Sequence, residues 1–397
     1  MGILDFFNRT PTPAKFARIV MQAARERGVD GPMEFDAQNF RIVLGKNDVV
    51  NLHNFYHDYC QAPRAGRDEV VAKYSHLFVR SDIPDAFDAA RRNVLPVLRT
   101  RAFLQAARFA PLLDAGVKET RFAMADFSDD TALLLAYDTE HLTRVLGMEQ
   151  LATWGVSLEE ATAVALDNLR DLAAEKFIQI SPTQFASDWN DAYDSSRLLL
   201  ADLAHRVAGP RAVAMIPTRG RMLLSAARGK ADLLALLQNA KAAIDQEGRR
   251  VSTLMYEFVD GRPVPFRPED EEVACLLADL QRIALQEDYA EQKQLLEQVH
   301  EKQGVDVFVA TYMLYKGEDQ GVFSVATWTE DVDALLPRAD KLAFVEMNDA
   351  GETRSAGVLE WERVEAAAGH LMQLDPELYP PRYRVKQFPD LASLGLQ

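Results

Sequence analysis

The sequence predicts an α+β fold, with mixed or antiparallel sheets packed by helices and two or three domains. Three observations carry this. Helical stripes and short β-type runs alternate too irregularly for a doubly wound parallel sheet. Asp260-Gly261, set between extended runs at 251–259 and 262–266, is a hairpin turn pair suited to positive φ. The chain has 397 residues, more than one hydrophobic core usually organises. The expected division is an α–β–α module over 1–80, an α+β core over 81–267, and acidic helices followed by an antiparallel β domain over 268–397.

The elements follow in order. Thr12 caps a first helix, Pro13 suits its first turn, and Phe16, Ile19, Val20 and Ala23 form its apolar stripe before Gly28 ends it. Residues 33–35, 40–44 and 49–52 read as short strands, and a helical stretch follows to Phe78, interrupted near Pro63 and Gly66. Residues 95–99 read as a strand. The consecutive apolar run 131–137 reads as a buried strand, with 141–146 as its hairpin partner. Ser157 and Glu160 form a capping box ahead of a helix faced by Ala161, Val164, Ala165, Leu169 and Leu172. Residues 177–180 read as a strand and about 194–207 as a helix. Strands at 212–216 and 222–226 flank Pro-Thr-Arg-Gly, and a helix over 231–247 stops at Gly248. Past a proline-rich boundary near 268, an acidic helix pair spans 272–302 with a break near Asp288. A second hairpin (307–315 and 322–327) and strands at 341–347 and 358–361 complete the last domain. The tail from Asp375, rich in proline, is expected to run over the surface.

Composition bounds the function. Hydrophobic residues make up 48% and charged residues 26%, as in ordinary globular proteins. A net charge of −16 argues against nucleic acid as a partner, because phosphate binding needs a concentrated positive field. Two cysteines, Cys60 and Cys275, exclude a disulfide framework or a cysteine-rich metal site and fit a reducing, cytoplasmic location. No apolar run approaches the ~20 residues that cross a bilayer. The N-terminus lacks the basic leader and long apolar core of a secretory signal.

The densest polar stretch is 185–197, Phe-Ala-Ser-Asp-Trp-Asn-Asp-Ala-Tyr-Asp-Ser-Ser-Arg. Two readings stand. Asn190, Asp191, Tyr193, Asp194 and Arg197 at a helix start could hold a ligand, joined by Arg99 and Arg219 as anion grips. Alternatively Asp191 or Asp194 caps the helix while Arg197 ties a carboxylate in place, a routine device worth about 1 kcal/mol. Arg101, Arg221, Arg228 and Lys230 share the same ambiguity between phosphate contact and pairing with acids. His53 and His57 have the spacing of a helical zinc site, but Asn54 stands where the catalytic glutamate belongs and no third ligand is evident, so no metal is expected. Nucleotide loops and nucleophile elbows are absent, and no cofactor is called for.

Pro96-Val97-Leu98-Arg99, Tyr137-Asp138, the 157–172 helix, Asn190-Asp191-Ala192-Tyr193-Asp194-Ser195-Ser196-Arg197, Ala214-Met215-Ile216-Pro217 and the 254–264 hairpin occur in an order that resembles the bacterial family of unknown function numbered 1444, which includes the YtpQ-like proteins. The resemblance covers about residues 10–266. It departs after Ile216, where family members carry His-Gln-Asp-like residues and this chain has Thr218-Arg219-Gly220-Arg221. It implies one fold across that span and a bacterial cytosolic origin. It implies no activity, since the family has none to carry over. The expectation is a non-catalytic protein acting through another protein; the alternative is a small-anion or metal-dependent site around Asn-Asp-x-Tyr-Asp-x-Ser-Arg.

Overall fold

The computed structural model describes residues 11–37, 40–45, 48–75, 78, 83–114, 117, 119–139, 143–248, 250–317, 321–347 and 353–396. The fold is α+β, with several antiparallel and mixed sheets. The chain forms two compact units, one of Met1–Leu95, Ala115–Lys118 and Leu135–Ala165, the other of Pro96–Asp114, Glu119–Leu134 and Leu166–Gln397. The boundary expected near 268 falls inside the second unit.

In the first unit the helix Pro13–Glu26 starts as its sequence dictates. The Thr12 hydroxyl accepts from the Lys15 amide, and Phe16, Ala17, Val20 and Ala24 are buried along one face. Strands Met33–Asp36, Arg41–Leu44 and Asp48–Asn51 form an antiparallel meander. Helices His53–Gln61 and Arg67–Ser75 are separated by a 3-10 turn at Arg64–Gly66. Phe16 meets the edge of Phe55 at 4.8 Å between centroids, at the centre of this core. The strand Thr143–Val145 pairs antiparallel with 136–138, as expected of the hairpin whose first residues, 141–142, lie outside the described set. Ser157 and Glu160 form the capping box: the Glu160 amide donates to the Ser157 hydroxyl (3.1 Å), and the Ser157 amide donates to Glu160 Oε2 (2.8 Å).

The second unit is built on a six-stranded antiparallel sheet. Its order is Arg262–Pro265, Met255–Val259, Val213–Thr218, Arg221–Ser225, Gln184–Ser187, Phe177–Ser181. Alternation along the central strand assigns its two faces. Val213 and Met215 pack with Leu233, Leu236 and Leu237 of the helix Lys230–Glu247, while Ala214 and Ile216 pack with Leu198 and Ala204. Asp260 (φ 49°) and Gly261 (φ 74°) make the left-handed turn that the hairpin requires. The strand Gln184–Ser187 went unread, because four residues of mixed polarity carry little periodic signal.

The acidic pair of helices is one helix, Glu271–Gln303, with no break at Asp288. Asp270 caps it by accepting from the Glu272 and Val273 amides. Asp288 continues the helix because its carboxylate is drawn inward to Arg250 and does not compete for nearby amides.

Beyond this helix the strands Met313–Gly317, Gly321–Thr329, Lys341–Met347 and Thr353–Glu360 form one sheet. It is mixed, not antiparallel as expected: Val325–Thr329 runs parallel to Lys341–Val345, because a second small sheet takes the intervening strand Ala334–Pro337. Ala326, Trp328, Leu342 and Phe344 turn inward to Trp361 and Val364 of the helix Trp361–Ala368. The opposite parity, Phe323, Val325, Thr327, Ala343, Val345 and Val358, forms the outer face. The tail is not a surface coil. Arg382–Val385 pairs antiparallel with Ala334–Pro337, and both Arg382 and Val385 are fully buried. Prolines flank that strand rather than interrupt its pairing, so composition misled.

Candidate functional site

The polar run lies where the strand Gln184–Ser187 ends. No α-helix starts at Asp194. Asn190 (φ 55°) and Ala192 (φ 67°) are left-handed, Ser195–Leu199 is a 3-10 stretch, and the α-helix begins only at Ala201. The cause is local competition. The Asp191 carboxylate accepts from the Tyr193 amide (3.0 Å), an Asx-type turn that holds the backbone out of helical geometry. Asp194 reaches backward instead of forward, and its Oδ1 accepts from the Trp189 amide (3.2 Å). Asn190 donates to Asp188 (3.0 Å). The expected helix cap is therefore a stapled turn.

Arg197 is the centre of that turn and is wholly buried. Its Nη1 and Nη2 donate to the two oxygens of Asp191 (2.9 and 2.6 Å), and Nη2 also donates to the Leu172 carbonyl (3.2 Å). Its guanidinium lies 4.2 Å from the Trp189 ring centre. Burial pushes the Asp191 carboxyl up, but Arg197 outweighs it and holds the group below its ordinary range. Burial raises Asp194, and neighbouring Asp191 adds to this, against the hydrogen bond from the Trp189 amide. Among the described residues, Trp189 Nε1, Asp194 Oδ2, Arg197 Nε and the hydroxyls of Ser195 and Ser196 find no hydrogen-bond partner. Asp191 and Arg197 are thus engaged with each other, Asn190 with Asp188, and Asp194 with the Trp189 amide.

Arg99, Tyr193 and Arg219 form a separate group. Arg99 comes from the strand Val94–Thr100 and is 6% exposed; its Nη1 donates to its neighbour's carbonyl, Leu98 O (2.8 Å). Burial, then the like charge of Arg219, pull its pKa down to about 9, with Tyr193 opposing. Arg219 sits in the tight turn after Thr218, and its carbonyl accepts from the Ser195 amide (3.3 Å). Arg99, inside the protein, is thereby within electrostatic reach of the Arg219 guanidinium and the Tyr193 phenol.

Four further basic residues singled out in the sequence pair with acids. Arg101 bonds Asp126 (3.0 Å), Arg221 bonds Glu247 (3.2 Å), Arg228 bonds Glu257 (2.9 Å) and Lys230 bonds Glu272 (2.5 Å). His53 packs edge-on against Phe40 at 5.2 Å. Among the described residues no three His, Cys, Asp or Glu side chains gather as a metal site would require. An open pocket of about 290 Å³ is lined by Gln281, Arg282, Tyr312, Ser324, Arg338 and Asp340, among others. Its arginines are already matched, Arg282 by Asp340 (2.8 Å) and Arg338 by Glu362 and Glu365 (both 3.0 Å).

Sequence reasoning placed Arg197 with a carboxylate correctly. It missed the stack on Trp189, which depends on two left-handed residues between them. It also missed the outer face of the last sheet, although the signal was present: 322–328 and 342–345 are apolar at nearly every position, the pattern of strands whose two faces both need cover. No family model matches the chain, no curated protein matches it, and no solved structure matches it. Among the described residues no helix is long and apolar enough to cross a membrane.

Proposed function

We propose that this chain is a non-catalytic protein that works by binding another protein, with the outer face of its last mixed sheet as the contact. One observation carries the reading: half-buried Phe323, Ala343 and Val345 and exposed Val358 belong, around buried Val325 and the Lys341 side chain, to the face opposite the one that the Trp361–Ala368 helix covers. Tyr315 stacks along Phe323 at 5.9 Å and is 48% exposed, and Val358 is 50% exposed. Exposed apolar side chains beside a charged pair, here Lys341 with Glu360, make a patch of the kind that protein contacts use. The double variant Tyr315→Glu, Val358→Glu is expected to keep its fold, with stability changed by less than about 1 kcal/mol, and to lose a partner that the natural chain retains in affinity capture under gentle conditions. Equal recovery by both proteins, or no partner for either, would sink the reading.

A second reading is favoured by Arg99. Burying the Arg99 guanidinium is costly, and a bound anion would offset that cost. Arg99, Arg219 and Tyr193 are donors suited to a small oxyanion such as a phosphate or carboxylate, while Asn190, Asp191, Asp194 and Arg197 shape the turn beside them. Inorganic phosphate should raise the melting temperature of the natural chain and leave that of Arg99→Met unmoved. No shift in the natural chain removes this reading and leaves the first untouched. The resemblance to family 1444 adds support for neither, since it brings no activity.

A further inference from the structure

The helix Arg101–Leu113 lies along the long helix Glu271–Gln303, and a buried acid sits in that seam. Asp288 is 7% exposed and pairs with Arg250, which also donates to the Ala284 carbonyl (3.3 Å). Beside it is a cavity of about 10 Å³ lined by Gln105, Asp288, Glu291, Gln292 and Tyr379, with three aliphatic residues. That is room for about one water molecule.

Gln105 supplies an independent pointer. It is 6% exposed, and its Oε1 accepts from the Tyr379 amide (2.8 Å), which fixes which way the amide faces. Its Nε2 is buried with no partner, as is Nε of Arg250. An amide N–H₂ on a cavity wall does not ligate a cation; it calls for an acceptor, and the carboxylates on the same wall call for a donor. Water is both. Glu291, on the exposed side of the helix, gives the cavity a carboxylate at its mouth.

We propose that this cavity is a proton-binding site: one water joins Gln105 to Asp288, Asp288 takes up a proton from solvent past Glu291, and the uptake tightens the seam between the two helices.

The charges that face Asp288 come from each neighbouring element. Glu291 shares its helix, Arg250 lies ahead of the Met255–Val259 strand, Asp130 lies in the turn before Thr131, and Tyr379 belongs to the C-terminal segment; further out, Glu287 approaches Arg250, and Arg101 at the head of the opposing helix acts on Tyr379. Burial dominates, and Arg250 opposes it without cancelling it, so the Asp288 carboxyl is pushed up to about 6. An acid raised on folding favours the folded state below its unfolded value, near 4, and loses that advantage as pH rises to about 6. The seam is thus firmer in mild acid.

The test uses the full chain with aspartate-selective carboxyl labelling, read by NMR titration, together with melting temperatures across the same pH range. Asp288 should titrate near 6, and Glu291→Gln should lower that midpoint by removing a like charge. Gln105→Leu, which removes the amide that holds the water, should raise it. The melting-temperature difference between the natural chain and Asp288→Asn should shift by a few degrees between about pH 4 and about pH 7. An ordinary aspartate midpoint, or a difference flat with pH, overturns the proton site. A midpoint unmoved by Gln105→Leu overturns the water. Should Asp288→Asn fail to fold, the titration of the natural chain decides alone.

Discussion

Arg197→Met is expected to destabilise the protein by about 3 kcal/mol, a loss typical of breaking a buried ion pair from one side. The arginine is wholly buried, whereas the Asp191 side chain is 36% exposed, so the orphaned carboxylate recovers some water and the figure belongs at the lower end of that class. Four contacts disappear together: two bonds to Asp191, one to Leu172 and the stack on Trp189. Arg197→Lys should recover only part of the loss, because an ammonium cannot bridge both carboxylate oxygens or stack as a plane. Arg206→Gln is the control. Arg206 and Asp202 form an exposed pair at i,i+4 spacing, so its removal should cost about 0.5 kcal/mol or less. Chemical denaturation read by tryptophan fluorescence measures all three. If Arg197→Met behaves like Arg206→Gln, the turn is not held by Arg197.

Arg382→Met is expected to cost at least as much, for a different reason. Arg382 is fully buried and, among the described residues, forms no ion pair with a carboxylate. It donates to Gln292 Oε1 (2.5 Å) and to the carbonyls of Ala310 (2.7 Å), Leu335 (3.0 Å) and Tyr289 (3.3 Å), with Tyr289's ring 5.1 Å below it. Burial lowers its pKa to about 10, so it stays charged at neutral pH. Methionine fills much of the volume but strands several buried acceptors, each costing about 1–3 kcal/mol, so a total of about 3 kcal/mol or more follows. Because Arg382–Val385 closes the small sheet against Ala334–Pro337, loosening of both strands should appear in hydrogen exchange. Arg338→Gln, at a half-exposed arginine paired with Glu362 and Glu365, should cost about 1 kcal/mol or less. Similar melting curves for the two variants would contradict the structural role given to the tail.

These two arginines mark where reading the sequence stops. The Arg197 contact with an aspartate was legible because both lie in one short run. Asp194 as a cap was not borne out, because the Asx turn at Asp191 diverts the chain before a helix can start. Arg382 was illegible: every group it contacts lies at least 47 residues away, and its local sequence reads as a proline-rich tail. Gln105 and Tyr379 lie 274 residues apart, and Arg250 and Asp288 lie 38 apart, so no local pattern could announce that cavity.

The sequence by itself determined the α+β class, the Ser157–Glu160 box, the Asp260-Gly261 hairpin and the ends of the first helix. Each depends on caps, turns and periodicity spanning a few residues, where local energies of about 1 kcal/mol suffice. The tertiary structure alone decided that Asp288 lies inside an unbroken helix, that Lys341–Val345 runs parallel to Val325–Thr329, and that Arg99 is buried in the field of Arg219. Those outcomes come from desolvation and from pairing between segments far apart in the chain, which no short window of residues contains.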